Sequence, residues 1–283
     1  MNASFERSTS VWGKSADSRD APALSTDASA DAVVVGAGLA GLSVAYELAC
    51  AGRSVVVLDR GPIGGGMTAR TTAHLASELD DYYHELIDLR GLDEAQQVYR
   101  AQAAAIDRIE TIARQEGITC DFKRLDGYLF LGPGADPAVL DRELEAARQV
   151  GLTGVAWAER APIPGRDAGR CLRFPDQGRF HPLKYLDGLA RCIRRNGGRL
   201  HADTIVIGVE EEGEEVPVTR DMSGFGSTRS VRFVPEGSHA AGGQDGPDHR
   251  CDWVASSEEV ELRGGSGAVG HERAALSPVA RRL

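Results

Sequence analysis

Lysine is nearly missing from this sequence: Lys14, Lys123 and Lys184 are the only ones in 283 residues, so almost all positive charge is arginine. Basic charge is short altogether, with 32 Lys+Arg against 42 Asp+Glu and a net charge of -10. That excludes a nucleic-acid or anionic-membrane surface as the main partner, because both need a basic face to displace counterions. Paired cysteine motifs are also lacking. Cys50, Cys120, Cys171, Cys192 and Cys251 are odd in number and show no C-x-x-C or C-x-H spacing. A disulfide framework and a zinc or iron-sulfur site are therefore not expected, and the thiols read as reduced and cytoplasmic. No run of about 18 apolar residues is present to span a bilayer. The start of the chain, MNASFERSTSVWGKSADSRD, places charges where a secretory signal would need an apolar stretch, so no signal peptide is expected.

What is there begins at Asp31. Residues 1–30 are rich in Ser, Ala and Asp without periodicity, and read as a disordered leader. Ala32 to Val35 is a short, continuous apolar run, as expected of a strand buried on both faces of a parallel sheet. Leu42, Ala45, Leu48 and Ala49 then fall on one side of a helix that Gly52 is placed to end. A second apolar strand, Ser54 to Leu58, runs into Asp59. The pattern is β-α-β, which predicts an α/β fold with a parallel sheet.

Beyond it lies a Gly- and Thr-rich loop, then helices over about 78–90 and 93–116, the second with Ala103, Ile106, Ile109 and Ile112 at helical spacing. Gly127 to Leu131 reads as a strand, Pro137 to Val150 as an amphipathic helix, 151–180 as irregular, Pro182 to Arg195 as a helix, and Thr204 to Val209 as a strand. These readings divide the chain into a leader over 1–30, a first part of a nucleotide-binding domain over 31–85, a helical insertion over 86–180, a return over 181–209, and a tail over 210–283. The tail has 11 Gly, no Lys and no sustained period, and is expected to be weakly ordered.

Chemistry enters with Gly36-Ala37-Gly38-Leu39-Ala40-Gly41. A bare G-x-G-x-x-G arises by chance about 0.5 times in a chain this rich in glycine, so the string alone means little. Its setting gives it weight: a buried-strand pattern precedes it, a helix follows, and a second strand ends in an acid 23 residues after Gly36. Gly36 permits the tight turn, Gly38 lets backbone approach a pyrophosphate, and Gly41 lets the helix sit close to the strand. The helix N-terminus presents N–H groups and the positive end of its dipole to phosphates. Asp59 would accept hydrogen bonds from ribose hydroxyls. A tight turn with no ligand is the plain alternative. FAD and NAD share this pattern; the loop Gly64 to Ala73, with Thr68, Thr71 and Thr72, suits the longer cofactor.

Taken together, DAVVVGAGLAGLSVAYELACAGRSVVVLDR and GGGMTARTTAHL resemble the FAD-dependent oxidoreductases of the D-amino-acid oxidase and glycine oxidase superfamily. SVWG, RTTAHLASELDDYY, DGYLFL and RFPDQGRFHPLKYL resemble, more narrowly, a bacterial subgroup whose members append a Rieske iron-sulfur domain. The resemblance covers about residues 8–209. It implies a Rossmann-like FAD-binding domain interrupted by a helical and substrate-domain insertion, with FAD as cofactor, an amine or amino acid as small-molecule substrate, and an electron-acceptor partner. By the same resemblance the cofactor residues are Gly36, Ala37, Gly38, Leu39, Ala40, Gly41, Asp59 with Arg60, the flavin-side residues Gly66, Thr68, Arg70, Thr71, Thr72 and Ala73, and Val206 near adenine. No catalytic residue is named.

The tail departs from that family. Neither a flavin-covering Gly-rich loop nor the C-x-H…C-x-x-H of a Rieske cluster is readable in 210–283. The expectation is a reading frame that leaves the family near 217–225 by frameshift or gene decay, with the C-terminal half of the fold missing. An Arg-rich, Lys-poor composition accords with GC-rich coding that stays open off frame. Resequencing the locus tests this: if no single-base shift restores an apolar strand and a flavin loop, the idea fails. A truncated, inactive FAD-binding fragment and an NAD-binding non-enzymatic protein are the alternatives to an active FAD enzyme.

The remaining polar residues read more plainly. His74 either lies near the flavin or begins a helix, and His181 reads as local structure before a helix. Asp80 and Asp81 read as a solvated helix face, Glu210 to Glu212 with Glu214 and Glu215 as a solvated turn, and Cys120 as a small buried residue.

Overall fold

The computed structural model describes residues 10–14, 21–132, 134–165, 167–212, 228–235 and 253–264. The chain forms two units, Met1–Arg70 with Leu189–Leu283, and Thr71–Gly188. No helix among the described residues is long and apolar enough to cross a membrane.

In the first unit, strand β1 (Ala28–Val35), helix α1 (Leu39–Cys50) and strand β2 (Val55–Leu58) form the expected β-α-β. β1 and β2 are parallel, with Val33 opposite Val56, and β2 pairs in parallel with β7 (Arg199–His201). Val33, Val34 and all of β2 are buried, which explains their unbroken apolar run. Each such side chain stabilises the fold by about 1.5–3 kcal/mol relative to exposure. α1 turns Leu42, Ala45, Tyr46 and Ala49 inward and ends where Gly52 takes φ +78°. The full sheet runs β7-β2-β1-β10-β9-β8, with β8 (Thr204–Glu212), β9 (Thr228–Pro235) and β10 (Trp253–Gly264). β10 is antiparallel to β1 and parallel to β9, and β9 is antiparallel to β8.

The second unit holds β3 (His74–Leu75), α2 (Tyr83–Arg90), α3 (Leu92–Gln115), β4 (Lys123–Leu129), α4 (Ala138–Val150), β5 (Ala156–Ala158) and β6 (Cys171–Arg179). The sheet order is β3-β6-β4 with β5 also on β6, all antiparallel. Tyr83, Ala95, Leu144, Ala147, Val150, Leu172 and Phe174 share its core. Helix α5 (Pro182–Arg195) carries the chain back to the first unit.

Several readings are corrected by this fold. The leader is ordered before Asp31: Leu24 is buried, its N–H donates to Thr204 Oγ1 at 3.0 Å, and β1 opens at Ala28. Residues 1–9 and 15–20 lie outside the described residues. The stretch 151–180 is not irregular throughout, because β5 and the nine-residue β6 cross it. Its Pro and Gly disguise a strand that three partners support. The first unit hands over to the second after Arg70, since His74 and Leu75 pair with Arg179 and Gly178. Glu210 to Glu212 belong to β8 rather than to a turn. The tail contributes the backbone strands β9 and β10; Glu214, Glu215, Cys251 and the rest of it lie outside the described residues.

Candidate functional site

The glycine turn behaves as its spacing demands. Gly36 takes φ +105°, and its N–H still donates to Leu58 O at 2.8 Å, so the chain leaves the sheet without losing its last bond. A Cβ placed on Gly41 would lie 1.9 Å from Gly36 O and 3.3 Å from Val34 Cγ1. Only glycine allows that approach of helix to strand. Gly38 occupies the N-cap of α1 without a side-chain cap, and no acid stands in the first turn. The residues of the turn itself therefore leave the first N–H groups of the helix and its positive dipole end to partners from elsewhere, a donor set suited to phosphate.

The segments around this turn are tied to it. Ala37 N–H donates to Asp59 Oδ2 at 2.6 Å, and Ala37 O accepts from Gly64 N–H at 3.0 Å. Leu39 N–H donates to Thr68 Oγ1 at 3.1 Å, which brings the Gly/Thr loop onto the first turn of α1. That loop is itself tight. Gly65 N–H donates to Pro62 O at 2.9 Å, Met67–Arg70 is a 3-10 turn, and Arg70 Nη1 reaches Gly65 O and Gly66 O at 3.3 Å each. Arg60 is exposed beside Asp59. Val206 packs against the cluster of Leu24, Ala30, Val33, Val56 and Leu58 and pairs with Phe233 of β9.

Glycines 36, 38, 41 and 66, Ala37, Leu39, Ala40, Asp59, Arg60, Thr68, Arg70 and Val206 thus share the first unit, and hydrogen bonds join the turn, Asp59 and Thr68 directly. Thr71, Thr72 and Ala73 belong to the second unit. There Ala73 is buried at φ +64°, its N–H donates to Thr71 Oγ1 at 3.2 Å, and its carbonyl accepts from Phe180 N–H at 3.4 Å. A non-glycine residue held at positive φ is strained and persists only where its surroundings fix it.

The other polar residues divide between exposure and structure. His74 is exposed on β3, not at a helix start. His181 is local structure, its Nδ1 accepting from Lys184 N–H at 3.3 Å in the first turn of α5. Asp80 and Asp81 are exposed in the turn ahead of α2. Cys120 is buried, and burial pushes its thiol up, away from reactivity. Among the described residues no group of His, Cys, Asp and Glu is placed to hold a metal.

Sequence reasoning missed Glu143. This carboxylate is 1% exposed on α4, accepts the N–H groups of Tyr83 and His84 at 2.9 and 3.1 Å, and meets His84 Nδ1 at 2.9 Å. The helical period placed it on the inward face, but nothing local signalled its partners. Also missed was Glu78, whose Oε2 is buried without a hydrogen bond among the described residues.

A β-α-β unit with a glycine turn, a glycine at the helix N-cap and an acid at the end of the second strand defines a dinucleotide-binding α/β protein. The family described as FAD dependent oxidoreductase (DAO) matches residues 31–234, and the chain belongs to it. FAD is the cofactor of that family, and the donor set of the turn fits it. Among relatives, the chain is 31% identical over 234 residues to the Bacillus subtilis protein YhfW, named as a Rieske 2Fe-2S iron-sulfur protein, covering 83% of this chain and 45% of that one. It is 29% identical over 204 residues to gamma-glutamylputrescine oxidoreductase of Escherichia coli, covering 69% and 47%. The chain thus spans about half the length of the curated relatives it matches. Its fold is similar to that of L-amino acid deaminase from Proteus myxofaciens, with a TM-score of 0.54 at 19% identity over 74% of this chain and 44% of that one. Glycine oxidase from Geobacillus kaustophilus gives a TM-score of 0.50 at 18% identity over 66% and 49%.

Proposed function

We infer that this chain binds FAD on the glycine turn and serves an oxidoreductase acting on an amine or amino acid, with the electrons passed on to a separate acceptor. The observation that carries this is the α1 N-terminus, which Gly38 does not cap, whose first turn holds no acid, and whose Leu39 N–H donates to Thr68, tying it to the Gly/Thr loop. In this reading the first turn of α1 faces the phosphates, Asp59 accepts ribose hydroxyls, Gly66, Thr68 and Arg70 shape the flavin side, and Val206 lies toward adenine. Thr71, Thr72 and Ala73 rest on the family resemblance alone. Bound FAD supplies the acceptor for a hydride leaving a C–N bond; the chain supplies binding and orientation. The names of the oxidoreductase, oxidase and deaminase relatives support the substrate class. The odd cysteine count, without paired spacing, supports a cytoplasmic setting.

Purified full-length chain tests the reading. It should be yellow, with absorbance bands near about 370 and 450 nm from protein-bound flavin. Gly38→Leu should lose the bands, because a side chain there obstructs backbone approach to the pyrophosphate. Colourless protein that FAD does not stabilise, or retention unchanged in Gly38→Leu, would remove this turn as the site. Because the chain spans half of its relatives, turnover is a separate measurement: flavin retained without reduction by any amine or amino acid would mark binding without catalysis.

A further inference from the structure

The carboxylate expected to meet ribose is already engaged by protein. Asp59 Oδ2 accepts Ala37 N–H at 2.6 Å and Oδ1 accepts Gly61 N–H at 2.9 Å. Its backbone is held as well, with its N–H donating to His201 O at 2.9 Å and its carbonyl accepting Thr204 N–H at 2.8 Å. One residue therefore joins the glycine turn, the turn after β2, and both strands that return after the insertion. Ala37 sits between two glycines, the least restrained backbone in the turn. Fixing its N–H by a charge-assisted bond removes freedom that a ligand would otherwise have to freeze. Each carboxylate oxygen has about two acceptor positions, so each retains one for a ribose hydroxyl.

We propose that Asp59 is a positioning residue for the phosphate-binding turn as well as a ribose acceptor, setting the turn before cofactor arrives and coupling ribose recognition to pyrophosphate recognition. The coupling rests on the FAD reading; the clamp itself concerns the cofactor-free protein. Asp59→Asn separates the two, because its amide keeps one acceptor and turns an NH2 group toward an N–H donor. In this arrangement one of the two side-chain bonds is lost while charge on the ribose side is also removed.

Amide hydrogen exchange at Ala37 and Gly61 in the FAD-free full chain reads the clamp directly. Both amides should be protected in the wild-type chain, and Asp59→Asn should speed exchange at one of them by about tenfold or more. Binding is read by quenching of flavin fluorescence, with FAD and with an analogue whose adenosine lacks both ribose hydroxyls. Asp59→Asn should weaken both, and FAD by the larger factor. Free exchange of both amides in the FAD-free wild-type chain would overturn the proposal, and so would an Asp59→Asn chain that binds the analogue as tightly as wild type. The wild-type exchange measurement stands whether or not the variant folds. Protected amides in a chain that binds no FAD would defeat the functional reading and leave the clamp intact.

Discussion

Gly41 shows how little room a single methyl group has. A Cβ there meets the Gly36 carbonyl at 1.9 Å, and backbone cannot swing aside as a side-chain tip can. Gly41→Ala should cost about 2 kcal/mol or more through forced separation of α1 from β1, although alanine favours helix. Denaturant unfolding measures the loss, and flavin content should fall with it. Glu78 makes the opposite case. Burial, then Asp80 and Glu143, push its carboxyl above the ordinary value, so the folded chain holds a proton that the unfolded chain releases. Stability is then lost as pH rises from the ordinary carboxylate range through the raised folded value. Glu78→Gln should raise the unfolding midpoint at about pH 8 and leave it nearly unchanged at about pH 4, as followed by thermal unfolding at both.

At the scale of elements, α2 is capped by a residue 60 positions away. Its own cap, Tyr82, gives no side-chain bond, whereas Glu143 takes the first two N–H groups from α4. Glu143→Ala leaves two donors unpaired, one buried and one partly buried, and should cost about 3 kcal/mol by chemical denaturation, with Glu143→Gln costing less. The crossing at Gly188 of α5 is just as specific: a Cβ there would lie 2.5–2.6 Å from Cδ1, Cγ2 and Cγ1 of Ile118. Gly188→Ala should destabilise by about 1–2 kcal/mol, overpacking outweighing the helix gain. Adding Ile118→Ala should relieve part of that cost, and a double-mutant cycle reads the coupling. These contacts mark the limit of what the sequence discloses. α1, α3, α4, β1 and β2 were legible because 3.6-residue spacing and unbroken valine runs are local signals. β6 was not, because its Pro175 and Gly178 argue locally against a strand that β3, β4 and β5 nevertheless hold. Leu24 was invisible for the same reason, its partners being Thr204 and the far side of the sheet. In the site, the glycine turn and Asp59 could be read from spacing, whereas the bonds from Thr68 to Leu39 and from Asp59 to Gly61 required the fold.

For the molecule as a whole, a cofactor that binds only the folded chain adds to its stability. FAD at about 100 times its dissociation constant should raise the unfolding free energy by about 2.7 kcal/mol, and should fail to do so in Gly38→Leu. Thermal shift at several FAD concentrations checks both. The order of assembly carries a further consequence. β2 cannot gain its outer neighbour β7, nor Leu24 its bond to Thr204 across 180 residues, until the whole second unit has left the ribosome. At about 5–20 residues per second, the β2 edge of the opening β-α-β waits roughly seven to thirty seconds for β7, and the β1 edge waits longer for β10. The contiguous stretch Thr71–Gly188 has that same interval in which to fold. Synthesis therefore begins the nucleotide-binding sheet first and completes it last, and the pause between is when a nascent chain most needs its β2 edge shielded.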